Sequence, residues 1–134
     1  MAADIRTVTG SFSTAPQLEP ADMAEAAARG FALVINNRPD GEGPGQPGSA
    51  EMEAAARAAG LDYLHIPVVG GPTPAQVEAV RAAVDEADGP VLAFCRSGTR
   101  SIVAWARGRA GADMPREELV ELGRAAGYDL SQAI

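Results

Sequence analysis

The residues best suited to chemistry lie in one stretch, Val91-Leu92-Ala93-Phe94-Cys95-Arg96-Ser97-Gly98-Thr99-Arg100-Ser101. It reads as an apolar strand that enters a short polar turn and then a helix. Such a turn points successive backbone N–H groups inward, and the helix behind it adds the positive end of its dipole, which makes a cup for negative charge. Cys95 at the rim of that cup is the expected nucleophile, its thiolate stabilised by the loop N–H groups and by Arg96 and Arg100. Arg96, Ser97, Gly98, Thr99 and Ser101 form the anion-binding loop. Gly98 supplies a backbone angle that a side chain would resist, and Ser101 is placed either to hydrogen-bond the thiolate or to close the helix start. A free cysteine is more often a small buried hydrophobe, but two arginines and a glycine set this one apart.

Few other residues compete. Cys95 is the only cysteine and His65 the only histidine, which excludes an internal disulfide and a cysteine-histidine zinc site; neither metal nor cofactor is expected. His65 lies in an apolar strand before Pro67 and reads as a paired structural histidine. Arg38 and Asp40 follow a strand at the catalytic end, where a salt-bridge or turn role and substrate contact are equally open. Asn36 and Asn37 fit turn formers, Trp105 fits the core or an interface, and Glu117, Glu118 and Glu121 fit a solvated helix face with a negative first turn.

The elements that must position this loop alternate. Strands are expected at Ile5 to Thr9, Phe31 to Ile35, Leu61 to Val68 and Pro90 to Phe94. Helices are expected from about Pro20 to Arg29, after Ser49 to Gly60, over Pro74 to Glu86, from Arg100 to Ala110 and from Pro115 to Ala126. The third has the clearest start, a Thr73/Gln76 capping box with Pro74 at the first helical position, and Val77, Val80 and Val84 share its face. Strands joined by crossover helices imply an α/β domain over residues 1–134, with a mainly parallel sheet of four to five strands flanked by helices. Pro39 to Gly48, rich in glycine and proline, is a loop after the second strand, on the side of a parallel sheet where sites form.

Composition narrows the partners. The formal charge of −7 is the wrong sign for a protein that neutralises nucleic acid or anionic lipid, and no run approaches the roughly 20 apolar residues of a membrane span. A cytoplasmic location is expected, and the oligomeric state is left open.

The cysteine loop resembles those of the cysteine-dependent protein phosphatases and the rhodanese-type sulfurtransferases. Four residues, Arg96 to Thr99, separate Cys95 from Arg100, the spacing typical of rhodanese loops; phosphatase loops are one residue longer. The segments Val34 to Glu42, Tyr63 to Val68 and Ala126 to Ser131, with the cysteine loop between them, resemble the phosphatase-like domain of beta-lactamase-hydrolase-like proteins. That resemblance implies a dual-specificity phosphatase scaffold, in a family described variously as phosphatases or sulfur transferases. In dual-specificity phosphatases the Tyr-x-x-Ile-Pro segment leads to an aspartate, the general acid. The matching stretch here, Val68-Val69-Gly70-Gly71, has none, and a missing acid slows alkyl phosphate hydrolysis by about 10²–10⁴. Asp40 or Glu42 on the glycine-rich loop is a possible substitute.

The expected function is therefore a sulfurtransferase in which Cys95 carries sulfane sulfur as a persulfide, from a small anionic donor such as thiosulfate to a thiol or cyanide acceptor. The alternative is a phosphatase acting on a phosphorylated substrate through a phosphocysteine, with Arg100 as clamp and Asp40 as acid. A third reading is a non-catalytic anion or phosphate sensor.

Overall fold

The computed structural model describes residues 3–134. The chain runs β1 (Arg6–Thr7), β2 (Phe12–Ala15), α1 (Asp22–Ala28), β3 (Leu33–Asn36), α2 (Ser49–Ala58), β4 (Asp62–His65), α3 (Pro74–Glu86), β5 (Val91–Phe94), α4 (Thr99–Ala110) and α5 (Arg116–Ala125). One five-stranded sheet has the order β1-β2-β5-β3-β4. β2, β5, β3 and β4 are parallel, and β1 closes one edge antiparallel to β2.

The period of two along each strand divides the core into two layers. Leu33, Ile35, Val91 and Ala93 face α3, α4 and α5 and pack with Val80, Ile102, Trp105 and Leu119. Val34, Leu92 and Phe94 face the other way, with Met23 and Ala26 of α1 and Met52 and Ala56 of α2. β5 sits at the centre with both faces covered, and all four of its residues are buried. Burial of a large apolar side chain contributes about 1.5–3 kcal/mol, so the strand that delivers Cys95 is among the best-anchored segments. Trp105 belongs to this core, stacked on Phe12 at 5.0 Å between ring centroids.

Two expected strands are corrected. Of Ile5 to Thr9 only Arg6–Thr7 pairs, antiparallel, and the strand beside β5 is instead Phe12–Ala15. Its sequence Phe-Ser-Thr-Ala carries little apolar signal, and its strand character comes from tertiary placement between β1 and β5. A tight turn precedes it, with the Val8 and Thr9 N–H groups donating to the Phe12 carbonyl. The expected Leu61 to Val68 strand shortens to Asp62–His65, since Pro67 has no N–H to give a ladder. The α3 capping box forms as expected: Gln76 N–H donates to Thr73 Oγ1 at 3.2 Å and Thr73 N–H to Gln76 Oε1 at 2.9 Å. Among the described residues, no helix is long and apolar enough to cross a membrane.

Candidate active site

β2, β3, β4 and β5 run parallel, so the segments that leave their carboxyl ends converge. These are Pro16-Gln17, Asn37 to Gly48, Ile66 to Val69, and the cysteine loop, the usual location of a site in an open α/β sheet. Cys95 follows directly from β5. Its sulfur is wholly buried, not exposed at a rim as the sequence suggested. The Gly98 N–H donates to Cys95 Sγ at 3.1 Å. Gly98 has φ +92° at the start of α4, and a Cβ there would lie 2.2 Å from Tyr128 Oη and 3.2 Å from Thr14 Oγ1. Glycine is required on both counts.

The carbonyls of the loop are held from outside. Arg96 O accepts from Gln17 N–H at 3.2 Å, Ser97 O from Tyr128 Oη at 2.9 Å, and Gly98 O from Thr14 Oγ1 at 3.0 Å. The side chains of Arg96, Ser97 and Thr99 point to solvent, where Ser97 Oγ donates to Thr99 Oγ1 at 3.0 Å. Ser101 does not reach the thiolate. It is wholly buried, and its hydroxyl donates to Asn37 Oδ1 at 2.8 Å. Asn37 in turn donates through Nδ2 to Ile66 O at 2.9 Å and through its N–H to Phe94 O at 2.8 Å. That one buried side chain therefore ties β3, the segment after β4 and α4 together below the cup. Asn36 binds Tyr63 Oη and the Arg38 N–H, and His65 Nε2 contacts the Arg38 carbonyl at 2.8 Å, in keeping with structural roles for both.

Arg100, the first-turn arginine of α4, is fixed by the glycine-rich loop. Its Nη1 and Nη2 donate to the two carboxylate oxygens of Glu42, each at 2.8 Å, and Nη1 also donates to Val68 O at 2.8 Å. Glu42 accepts as well from Arg38 Nε at 3.0 Å, and Arg38 Nη1 donates to Gln17 Oε1 at 2.9 Å. The Arg100 and Arg38 hydrogen bonds hold the Glu42 carboxyl at about 2, against an ordinary 4.5. The same pair raises the Arg100 pKa, with a smaller contribution from the nearby Cys95. Arg38 is a buried strut in this network, only 7% exposed. Asp40, which the sequence offered alongside Glu42 as a substitute acid, is engaged elsewhere: its Oδ1 accepts from Ser49 N–H at 2.8 Å at the start of α2, a favourable place for a carboxylate.

The structure thus brings Cys95, Gly98 and Arg100 together, adds Glu42 as the partner of Arg100, and leaves Arg96 on the outer rim. Thr14, Gln17 and Tyr128 also hold the loop, and no local pattern marks them for that role. Tyr128 stood within a recognised segment, whereas Thr14 and Gln17 carried no signal once β2 had been missed.

Residues 4–112 match the family described as beta-lactamase hydrolase-like protein, phosphatase-like domain. The chain is 43% identical over 115 residues to a beta-lactamase hydrolase-like protein of Agrobacterium fabrum, across 84% of this chain and 27% of that protein. It is 44% identical over 110 residues to one from Xylella fastidiosa, across 81% and 26%. The chain therefore spans about a quarter of the length of these relatives. Among solved structures, a candidate phosphatase of Neisseria meningitidis superposes with a TM-score of 0.85 at 35% identity, covering 96% of this chain and 92% of that one. Tk-PTP in its active form gives 0.70 at 25%, covering 96% and 88%. Kinase associated phosphatase shares the fold, with 0.71 at 15%, covering 95% and 85%.

Proposed function

Since the chain belongs to the phosphatase-like domain family of the beta-lactamase hydrolase-like proteins, its fold is that of the cysteine-based phosphatases, and within that class we propose that it transfers sulfane sulfur through Cys95. The observation that carries this reading is the state of the carboxylates around the cup. Glu42 is held ionised between Arg38 and Arg100, Asp40 is engaged at the start of α2, and Val68 to Gly71 holds no acid. A phosphatase needs a proton donor for an alkoxide leaving group. Sulfur transfer does not, because sulfite and thiolates leave unprotonated.

The Cys95 thiolate attacks the outer sulfur of a donor such as thiosulfate. A new S–S bond forms, and sulfite leaves with the electron pair of the old one. An acceptor thiolate or cyanide then attacks the outer persulfide sulfur and releases the Cys95 thiolate. The Gly98 N–H and the start of α4 stabilise the negative charge that stays on sulfur throughout. Arg96 at the rim and Arg100 beside the sulfur draw in the anionic donor.

The phosphatase reading is the second. The family description and the solved relatives named above favour it, and none of those proteins is named a sulfurtransferase. In that reading Cys95 forms a phosphocysteine, Arg100 clamps the phosphate, and Asp40 leaves the start of α2 to donate the proton. Intact-mass measurement after incubation with thiosulfate or a small-molecule persulfide separates the two. A gain of one sulfur on the wild type and none on Cys95→Ser supports sulfur transfer, and an unchanged wild-type mass counts against it. Steady turnover of an aryl phosphate that requires both Cys95 and Asp40 would move the assignment to phosphatase. Anion protection against heat without either activity would favour a sensor.

A further inference from the structure

We infer that Tyr128 is a positioning residue of the cysteine loop, its hydroxyl holding the Ser97–Gly98 peptide so that the Gly98 N–H stays aimed at the Cys95 sulfur. The inference rests on Cys95 as nucleophile and not on which group Cys95 transfers. A planar trans peptide carries its carbonyl and its N–H on opposite edges. To hold the carbonyl from one side is therefore to direct the N–H to the other. Tyr128 Oη donates to Ser97 O at 2.9 Å, and the N–H of that same peptide donates to Cys95 Sγ at 3.1 Å.

The contact is built to be rigid. Tyr128 is 9% exposed, its N–H donates to Gly123 O at 2.8 Å at the end of α5, and the Arg6 guanidinium lies 5.2 Å from its ring centroid. The space over Gly98 that a Cβ would need is taken by the phenol itself. The neighbouring peptide is different: Gly98 O accepts from Ile102 N–H as well as from Thr14, so its direction survives the loss of one donor. Among the described residues, the hydrogen bond on Ser97 O comes from Tyr128 alone. The charged groups around the sulfur are Arg100, backed by Glu42 and Arg38, then Arg96 next along the chain, and Arg6 over the Tyr128 ring. Tyr128→Phe leaves all of them in place and removes one hydroxyl.

The test uses the whole chain, in which Cys95 is the only cysteine, and reads the pH profile of its alkylation by iodoacetamide. A loss of packing alone would lower the melting temperature without displacing that profile. Tyr128→Phe is expected to displace it upward, read as a roughly three- to tenfold slower alkylation on the rising limb. Ring-fluorinated tyrosine in the otherwise wild-type chain, a stronger donor, is expected to displace it downward, which keeps the inference testable if Tyr128→Phe does not fold. Superimposable profiles for a folded Tyr128→Phe, or an unmoved or upward profile with the fluorinated residue, would overturn the inference. A wild-type profile no different from that of a free thiol would overturn the nucleophile reading and this inference with it.

Discussion

Replacing Glu42 by glutamine keeps the shape of the side chain and removes the charge that joins Arg38 to Arg100. The carboxyl falls from 4.5 to about 2 in the folded chain, and at about 1.4 kcal/mol per unit that bounds the stabilisation near 3 kcal/mol. The Glu42 side chain is 29% exposed and the residue as a whole lies at the surface, so water and salt screen the pair, and about 1–2 kcal/mol is the expected loss in Glu42→Gln near neutral pH. For a domain of this size that lowers the melting temperature by about 3–6 °C. The sign follows from the direction of the shift. A carboxyl whose folded pKa lies below its unfolded value contributes fully above 4.5, and the contribution is lost as the pH falls from 4.5 towards 2. Urea unfolding of both chains across that range should therefore show a constant gap above about pH 5 that closes on acidification. The comparison cancels the other carboxylates, which titrate in both chains. A gap that is absent near neutral pH, or that persists unchanged at the acid end, would refute the ion-pair account of the glycine-rich loop.

Three further outcomes are expected. Gly98→Ala places a Cβ 2.2 Å from Tyr128 Oη at φ +92°, so it should abolish persulfide formation by intact mass and cost at least about 2 kcal/mol in denaturant unfolding. Ser101→Ala leaves the buried Asn37 Oδ1 without its donor and should cost about 1–3 kcal/mol, read by the same unfolding assay. Thr73→Ala breaks the α3 capping box and should cost about 1 kcal/mol, with persulfide formation unchanged because the hydrogen bonds of Thr73 and Gln76 go to each other and to Pro67 and not to the cysteine loop.

Local signals carried the helices and the nucleophile. Thr73, Pro74 and Gln76 mark the start of α3 within a few residues of chain, and the valine spacing that follows identifies the covered face. The strand-Cys-loop-Arg-helix order needs only consecutive residues to be read, so Cys95, Gly98 and Arg100 were legible before any fold was known. β2 was not. Phe12-Ser13-Thr14-Ala15 has no apolar alternation, and only its neighbours make it a strand, all four residues being buried between β1 and β5. With β2 went Thr14 and Gln17, two of the three groups that hold the loop carbonyls.

The glycine-rich loop shows the same division. Its position after β3 placed both Asp40 and Glu42 near the site, but spacing along a flexible segment does not decide which carboxylate turns inward. The distances decide it: Glu42 spans Arg38 and Arg100, while Asp40 meets the N–H of Ser49. What the sequence determined by itself was a cysteine between a strand and a helix on an α/β sheet, because that order is written in adjacent residues. Tertiary structure alone decided the burial of Cys95, the partners of the two loop carboxylates and the hydrogen bond from Tyr128 to the Ser97 carbonyl, since each depends on contacts between segments far apart in the chain whose partners no local pattern encodes.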